Sequence, residues 1–272
     1  MPGSIKSRPQ NVHDNYIHGE IITMFCGFIT AMRTLTILPM PGKDAERVAN
    51  ALYYFPLVGA LIGALVTLVA WLLGDVLAWP VGAGVAGVFV SAWITRGLHL
   101  DGLSDTVDGY YGAATRERRL EIMKDHHVGA FGVVAIVLVL LLKSAALAQL
   151  AIYGQWVWIP VPFILARLIQ VLLAVTLPYA RNEGGKAEAF VKQAGASHFI
   201  VAGIGALVLC GLLIQLSGLV LFVFTFIIGY LLAQWMKRAF GGVTGDLLGF
   251  SNELIECILL FAIAAAMPFL DV

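Results

Sequence analysis

The sequence predicts an all-α, polytopic integral membrane helical bundle, and three observations carry that prediction. Apolar residues make up 60% of the 272-residue chain and charged residues only 12%, against roughly 25% charged in a typical soluble domain. The apolar residues gather into runs close to the ~20 residues that a bilayer span requires. The basic residues fall in alternate loops instead of being spread along the chain. Mean hydropathy is +0.87, in keeping with all three.

The elements follow in order. Residues 1–20 are polar, with neither an apolar core nor a small-residue cleavage site, so they read as a tail and not as a signal peptide. Residues 21–38 are apolar but short and contain Arg33, so they either span or form a re-entrant or surface helix. Clear spans are 51–73, 76–98, 130–150, 156–177, 199–216 and 218–236. A last segment, 255–270, is short but nearly free of charge. The sum is seven or eight membrane segments in one transmembrane catalytic domain, 21–272. Gly59 and Gly63 form a small-xxx-small pair that lets helices approach closely.

Loop charge sets the topology. Loops 39–50, 99–129, 178–198 and 237–254 share one face and hold Lys43, Arg47, Arg116, Arg118, Arg119, Lys124, Arg181, Lys186, Lys192, Lys237 and Arg238. The opposite connections, near 74–75, 151–155 and 217, hold no Lys or Arg. The positive-inside rule makes the charged face cytoplasmic. The zero formal net charge argues against a nucleic-acid partner. Cys26, Cys210 and Cys257 lie apart, with no spacing for a metal knuckle or a disulfide framework, so they read as buried thiols.

The polar motifs all lie on the charged face. A transporter would place them nearer the midplane, on broken helices; a one-sided cluster fits an enzyme whose soluble substrates arrive from one side. The segment His99-Leu-Asp-Gly-Leu-Ser-Asp-Thr-Val-Asp-Gly109 puts Asp101, Asp105 and Asp108 at offsets of four and three, one helix face. Like charges crowded beside a bilayer are costly, and a divalent cation is the simplest compensation. Oxygen-only donors suit Mg2+ or Mn2+, with substrate phosphates completing the shell.

Thr115–Asp125 reads as a short amphipathic helix at the interface, some of whose cations, Arg116, Arg119 or Lys124, could meet phosphates. His126 and His127 are adjacent and point apart, so a shared metal is not expected. Tyr179-Ala-Arg-Asn-Glu-Gly-Gly-Lys186 offers an anion-binding loop. Gly241-Gly-Val-Thr-Gly-Asp-Leu-Leu-Gly249, followed by Asn252, Glu253 and Glu256, allows close backbone approach to a ligand and supplies Asp246 as the best fourth carboxylate. Lys143 and Arg167 sit inside apolar spans, and intramembrane charges are functional candidates by default.

These motifs, in this order, resemble the cobalamin synthase family, the adenosylcobinamide-GDP ribazoletransferases. The matching stretches are His99-Leu-Asp-Gly-Leu-Ser-Asp105, Arg116-Glu-Arg with Leu120–Asp125, Tyr179-Ala-Arg181 with Glu183-Gly184, and Gly241–Gly249 with Glu253-Leu254. Phe55–Gly59 and the stretch from Thr34-Leu35 to Leu38-Pro39 also fit, so the resemblance covers nearly everything beyond about residue 25. The chain departs where the family reads Asp-Ser-Arg and this sequence reads Asp125-His126-His127.

The resemblance implies a Mg2+-dependent transferase of the bacterial or archaeal cytoplasmic membrane, with its active site facing the cytoplasm. The reaction joins adenosylcobinamide-GDP to α-ribazole or its 5′-phosphate, yields adenosylcobalamin or its 5′-phosphate, and releases GMP. The ribazole 3′-hydroxyl attacks the phosphorus on the cobinamide arm. The resemblance further implies Asp101, Asp105, Asp108 and Asp246 as metal ligands, and Asp101, Asp105, Asp108 and Arg181 as catalytic. It implies His99, Lys124, Asp125, Arg181, Thr244 and Glu253 as substrate-binding. A homo-oligomer is compatible with it. The acidic motif is also similar to that of CDP-alcohol phosphotransferases, although Ser104-Asp105 replaces their Ala-Arg. A divalent-cation transporter is the alternative from another class.

Overall fold

The computed structural model describes residues 25–125, 127–182, 184–185 and 187–269, which are helical throughout apart from turns and connections. The polar tail lies outside them. Among the described residues, helix α1 runs from Phe25 to Leu35, a stretch shorter than a bilayer span. Arg33 near its end pairs with Asp44 at 2.9 Å and donates to the carbonyls of Met40 and Gly42. It therefore clamps the 40–44 loop.

A 3-10 turn, Val48–Tyr54, leads into α2, Phe55–Trp71, which ends in one π turn, Leu72–Val76. Helix α3 is Pro80–Ile94 and α4 is Leu98–Gly112, lying at 90° to it. The corner is made by two successive left-handed residues, Arg96 (φ 54°) and Gly97 (φ 64°). The sequence predicts a span over 76–98 followed by a connection that carries the acidic helix. The structure shows that helix starting directly after the corner and laid across the charged end of the bundle.

Short α5, Arg116–Ile122, follows, then α6, Ala130–Ile152, and α7, Pro160–Thr176. Then come α8, Glu188–Gln193, α9, Ala196–Ile214, and α10, Leu216–Phe240. Helix α11, Gly245–Ala266, starts ten residues before the predicted segment (255 − 245). Asp246, Asn252, Glu253 and Glu256 lower the hydropathy of its first turns, yet the last three are buried against other helices.

Within its most apolar stretch, α7 is 83% buried and α11 72%, while α6, α9 and α10 are 28–33% buried. So α7 and α11 form the protein core and the others face lipid on one side. Helix α2 packs on α7 through the predicted glycine pair: a Cβ on Gly63 would come within 2.6 Å of the Pro160 Cα, and one on Gly59 would strike the Phe163 carbonyl. Backbone cannot yield as a side-chain tip can, so Gly63→Ala should cost about 1–3 kcal/mol. Thermal unfolding in detergent would register this, and an unchanged midpoint would refute the packing.

The four basic segments converge on one end. Arg47 reaches the Gln193 carbonyl, Arg116 the Ala180 carbonyl, and Arg119 the Ala239 carbonyl. Tyr179 and Val243 form an isolated parallel bridge. At the other end, Gly74 packs beside Trp156 and Ala151. Exposed Trp71 and Trp79 also lie there, where amphipathic rings suit the lipid–water boundary.

Candidate active site

The site is built where α4 crosses the first turn of α11. Helix α4 is two-faced. His99, Gly102, Leu103, Ser104, Thr106 and Gly109 are buried, while Asp101 is exposed and Asp105 half-buried on the other side. The helices meet backbone to backbone. A Cβ on Gly102 would lie 2.5 Å from the Asp246 carbonyl oxygen, and one on Gly249 3.3 Å from the His99 Cα. Larger residues would push Asp105 and Asp246 apart. Gly102→Ala should therefore remove activity while protein still reaches the membrane, and an active Gly102→Ala enzyme would contradict this crossing.

Thr244 caps α11, its hydroxyl accepting from the Leu247 amide at 3.3 Å. The same hydroxyl lies 3.4 Å from Asp246. Arg181 comes in from the 178–187 segment and pairs with Asp246 at 2.6 Å. It also donates to the Met123 carbonyl at 3.3 Å. Its guanidinium also lies against the Tyr179 phenol. The segment carrying it is fixed by the Tyr179–Val243 bridge, and burial pushes the Tyr179 phenol up.

The carboxylates feel one another. Burial, then the charges of Asp101, Asp246 and Asp108, push the Asp105 carboxyl up to about 7, opposed by Arg181. Neither the Asp101 nor the Asp105 carboxylate has a hydrogen bond or ion pair among the described residues. In this cleft the carboxylates of Asp101, Asp105 and Asp246 meet the guanidinium of Arg181. No group of three His, Cys, Asp or Glu among the described residues is gathered closely enough to enclose an ion. Mg2+ needs no such cage, because it is held by one or two carboxylates plus substrate phosphates. The unpaired, hard-oxygen donors of Asp101 and Asp105 fit that mode.

Several expected site residues lie elsewhere. Asp108 spends both oxygens on α6, accepting from the amides of Gly129 (2.8 Å) and Gly132 (2.9 Å). A carboxylate there satisfies two open donors and complements the helix dipole, so its role is to cap α6. Asp108→Ala should lower stability by about 0.5–2 kcal/mol. A detergent melting curve equal to that of the parent would contradict the cap. Glu253 is buried and pairs with Lys143 at 2.9 Å, so it faces the bundle interior and not substrate. His99 is 2% exposed, with neither ring nitrogen hydrogen-bonded. It faces α11, where burial and then Arg167 and Lys143 lower its pKa well below the usual value.

Arg116 and Arg119 brace loops through carbonyls, and Arg119 also covers the Tyr110 ring at 4.7 Å. Lys124 and Asp125 are exposed after α5, and Asp125 pairs with His127 at 2.7 Å. His126, Glu183 and Lys186 lie outside the described residues. Glu256 is the residue whose place sequence reading missed: it meets both Lys143 and Arg167 inside the bundle. The signal was present, since two lone cations in separate spans call for two anions at the same depth.

The arginine can pair with a phosphate oxygen, and the hard carboxylates are of the type that would hold a divalent ion beside it. The comparisons agree with that chemistry. The family model for cobalamin-5-phosphate synthase matches residues 27–264. A protein of Chlorobaculum parvum is 43% identical over 89% of this chain and 96% of its own length. One of Chlorobaculum tepidum is 44% identical over 86% and 92%. A more distant one, of Desulforamulus reducens, is 36% identical over 88% and 96%. All three bear the name adenosylcobinamide-GDP ribazoletransferase. No solved structure matches. With its family model covering nearly the whole bundle, including α4, α5, the Arg181 segment and the start of α11, the chain belongs to the cobalamin-5-phosphate synthase family.

Proposed function

We propose that this protein joins adenosylcobinamide-GDP to α-ribazole or its 5′-phosphate and releases GMP, completing the nucleotide loop of cobalamin. The observation that carries this reading is the unpaired Asp101 and Asp105 facing the Arg181–Asp246 pair. The ribazole 3′-hydroxyl oxygen forms a bond to the phosphorus on the cobinamide arm. The bond from that phosphorus to the bridging oxygen breaks, and GMP leaves with the electron pair. Catalysis of this kind consists mostly of positioning and charge neutralisation.

Asp101 and Asp105 would hold Mg2+, which supplies charge neutralisation on the pyrophosphate when bound. Arg181 turns its Nη1 to a phosphate oxygen while Nη2 stays on Asp246. Asp108 is committed to α6, and Asp101 and Asp105 to the ion. Asp246 is then the carboxylate left to receive the hydroxyl proton at Oδ1. The charged end faces the cytoplasm, where nucleotide substrates are found, as the eleven basic loop residues suggest. Cysteines placed at exposed Arg118 and Lys192 should react with impermeant maleimide from the cytoplasmic side only. Labelling from outside would reverse the orientation.

Incubating detergent-purified protein with adenosylcobinamide-GDP, α-ribazole 5′-phosphate and Mg2+ tests the activity. GMP and a corrinoid bearing the base are expected in equal amounts. CMP released from a CDP-linked lipid, with no GMP from the corrinoid, would instead favour a CDP-alcohol phosphotransferase.

A further inference from the structure

Deep to the carboxylate cleft lies a second set of charges that the reaction does not use. Lys143 of α6, Arg167 of α7 and Glu253 and Glu256 of α11 are 2%, 0%, 5% and 0% exposed. Lys143 Nζ bridges both carboxylates, at 2.9 Å to Glu253 and 2.5 Å to Glu256. Arg167 pairs with the other oxygen of Glu256. Asn252 also donates to that oxygen, at 3.0 Å. Two cations meet two anions, so the group is neutral.

We infer that this tetrad is a register pin for α11 and that Lys143, Arg167, Glu253 and Glu256 are positioning residues for the active site. The argument begins with the crossing above it. Helix α11 touches α4 through Gly102 and Gly249, two flat surfaces without side chains that interlock. In lipid, apolar packing has little preference for one axial position over another. A slip of α11 by one turn, about 5.4 Å, would carry Asp246 away from Asp105 and Arg181. The pin prevents it. Its two carboxylates are one turn apart on α11 and are held by cations on two other helices. A buried ion pair is weak evidence for stability, and setting register is its best-attested use. A single turn of helix separates Glu253 from Gly249, so the constraint reaches the crossing through rigid backbone.

The inference rests on the proposed reaction for its kinetic test but not for its structural one. Glu256→Asp keeps the charge and shortens the arm by one methylene. It should lower kcat about 10²-fold, the scale for a displacement of about 1 Å, with KM for adenosylcobinamide-GDP unchanged. Lys143→Met should lose most of the folded protein, because it strands a buried negative charge. Adding Glu253→Gln restores neutrality and leaves the Arg167–Glu256 pin. That double variant should recover both yield and kcat to within about tenfold of the parent.

Spin labels on Tyr111→Cys and Phe261→Cys, both exposed and on α4 and α11, give the readout without turnover. With Cys26 replaced by alanine, the parent should show one narrow distance and Glu256→Asp a shifted or broadened one. Parental kcat in Glu256→Asp, or failure of Glu253→Gln to rescue Lys143→Met, would overturn the pin. Should the wild type itself not turn over, the proposed reaction fails, and the distance distribution alone decides the pin: a parental distribution in Glu256→Asp refutes it.

Discussion

Asparagine at Asp105 is expected to lower turnover by about 10²–10³, and Asp101→Asn by a similar factor, the scale for losing one charge-stabilising contact at a transition state. The physical reason is the imbalance at the cleft. Asp105 is held half-buried beside three other carboxylates, opposed by the charge of Arg181. Such an arrangement is costly for the empty protein and favourable once a divalent ion shared with a pyrophosphate enters. Asparagine keeps the size and removes the charge that attracts the ion. Folded protein should therefore be recovered at normal yield, with activity partly restored by raising Mg2+. EDTA should silence the wild type, and Mg2+ should revive it. Full activity in chelator, or near-normal turnover in both asparagine variants, would remove the metal from the mechanism.

Arg181→Ala should cost about 10²–10³ in kcat, or roughly 2.7–4 kcal/mol of transition-state stabilisation. Arg181 neutralises Asp246 through Nη2 at 2.6 Å, and in the proposed reaction it would also meet a phosphate oxygen. Lysine supplies the charge but not the fork, so Arg181→Lys should recover only part of the loss. If Arg181 served only to offset the Asp246 charge, Arg181→Lys would turn over at the parental rate. If it also grips phosphate, Arg181→Lys stays well below the parent while exceeding Arg181→Ala. Steady-state rates of the three proteins, at saturating substrate, distinguish the outcomes.

Much of this was readable before any coordinates. Long apolar runs are bilayer spans because an unpaired backbone cannot cross lipid, and α6, α7, α9 and α10 appear where those runs lie. Asp101 and Asp105 were legible because an offset of four is a single helix face. Asp108 shares that face in the sequence, yet its amide partners at Gly129 and Gly132 are 21 and 24 residues away, and no local spacing announces them. Arg181 and Asp246 were each recognisable as charges near phosphate; their pairing across 65 residues was not.

Helix α11 was shortened for a different reason. A hydropathy window penalises Glu253 and Glu256, whereas the folded bundle buries them against Lys143 and Arg167. Hydropathy treats each residue as if alone in lipid, and charges that meet a partner at the same depth escape that penalty. Helix α4 was legible as a helix from the spacing of its aspartates, but its right-angle turn from α3 was not. Its carboxylates disqualify it as a span, yet nothing in them opposes a helix lying across the end of a bundle.

The central claim is that the carboxylates of α4 hold a divalent ion against the pyrophosphate of adenosylcobinamide-GDP. Mn2+, substituted for Mg2+, tests it by electron–nuclear double resonance on the purified protein with that substrate bound. The account predicts Mn2+ coupled to substrate phosphorus in the wild type, with the bound ion lost in the Asp101→Asn, Asp105→Asn double variant. Mn2+ bound with equal affinity and equal phosphorus coupling in the double variant would contradict it.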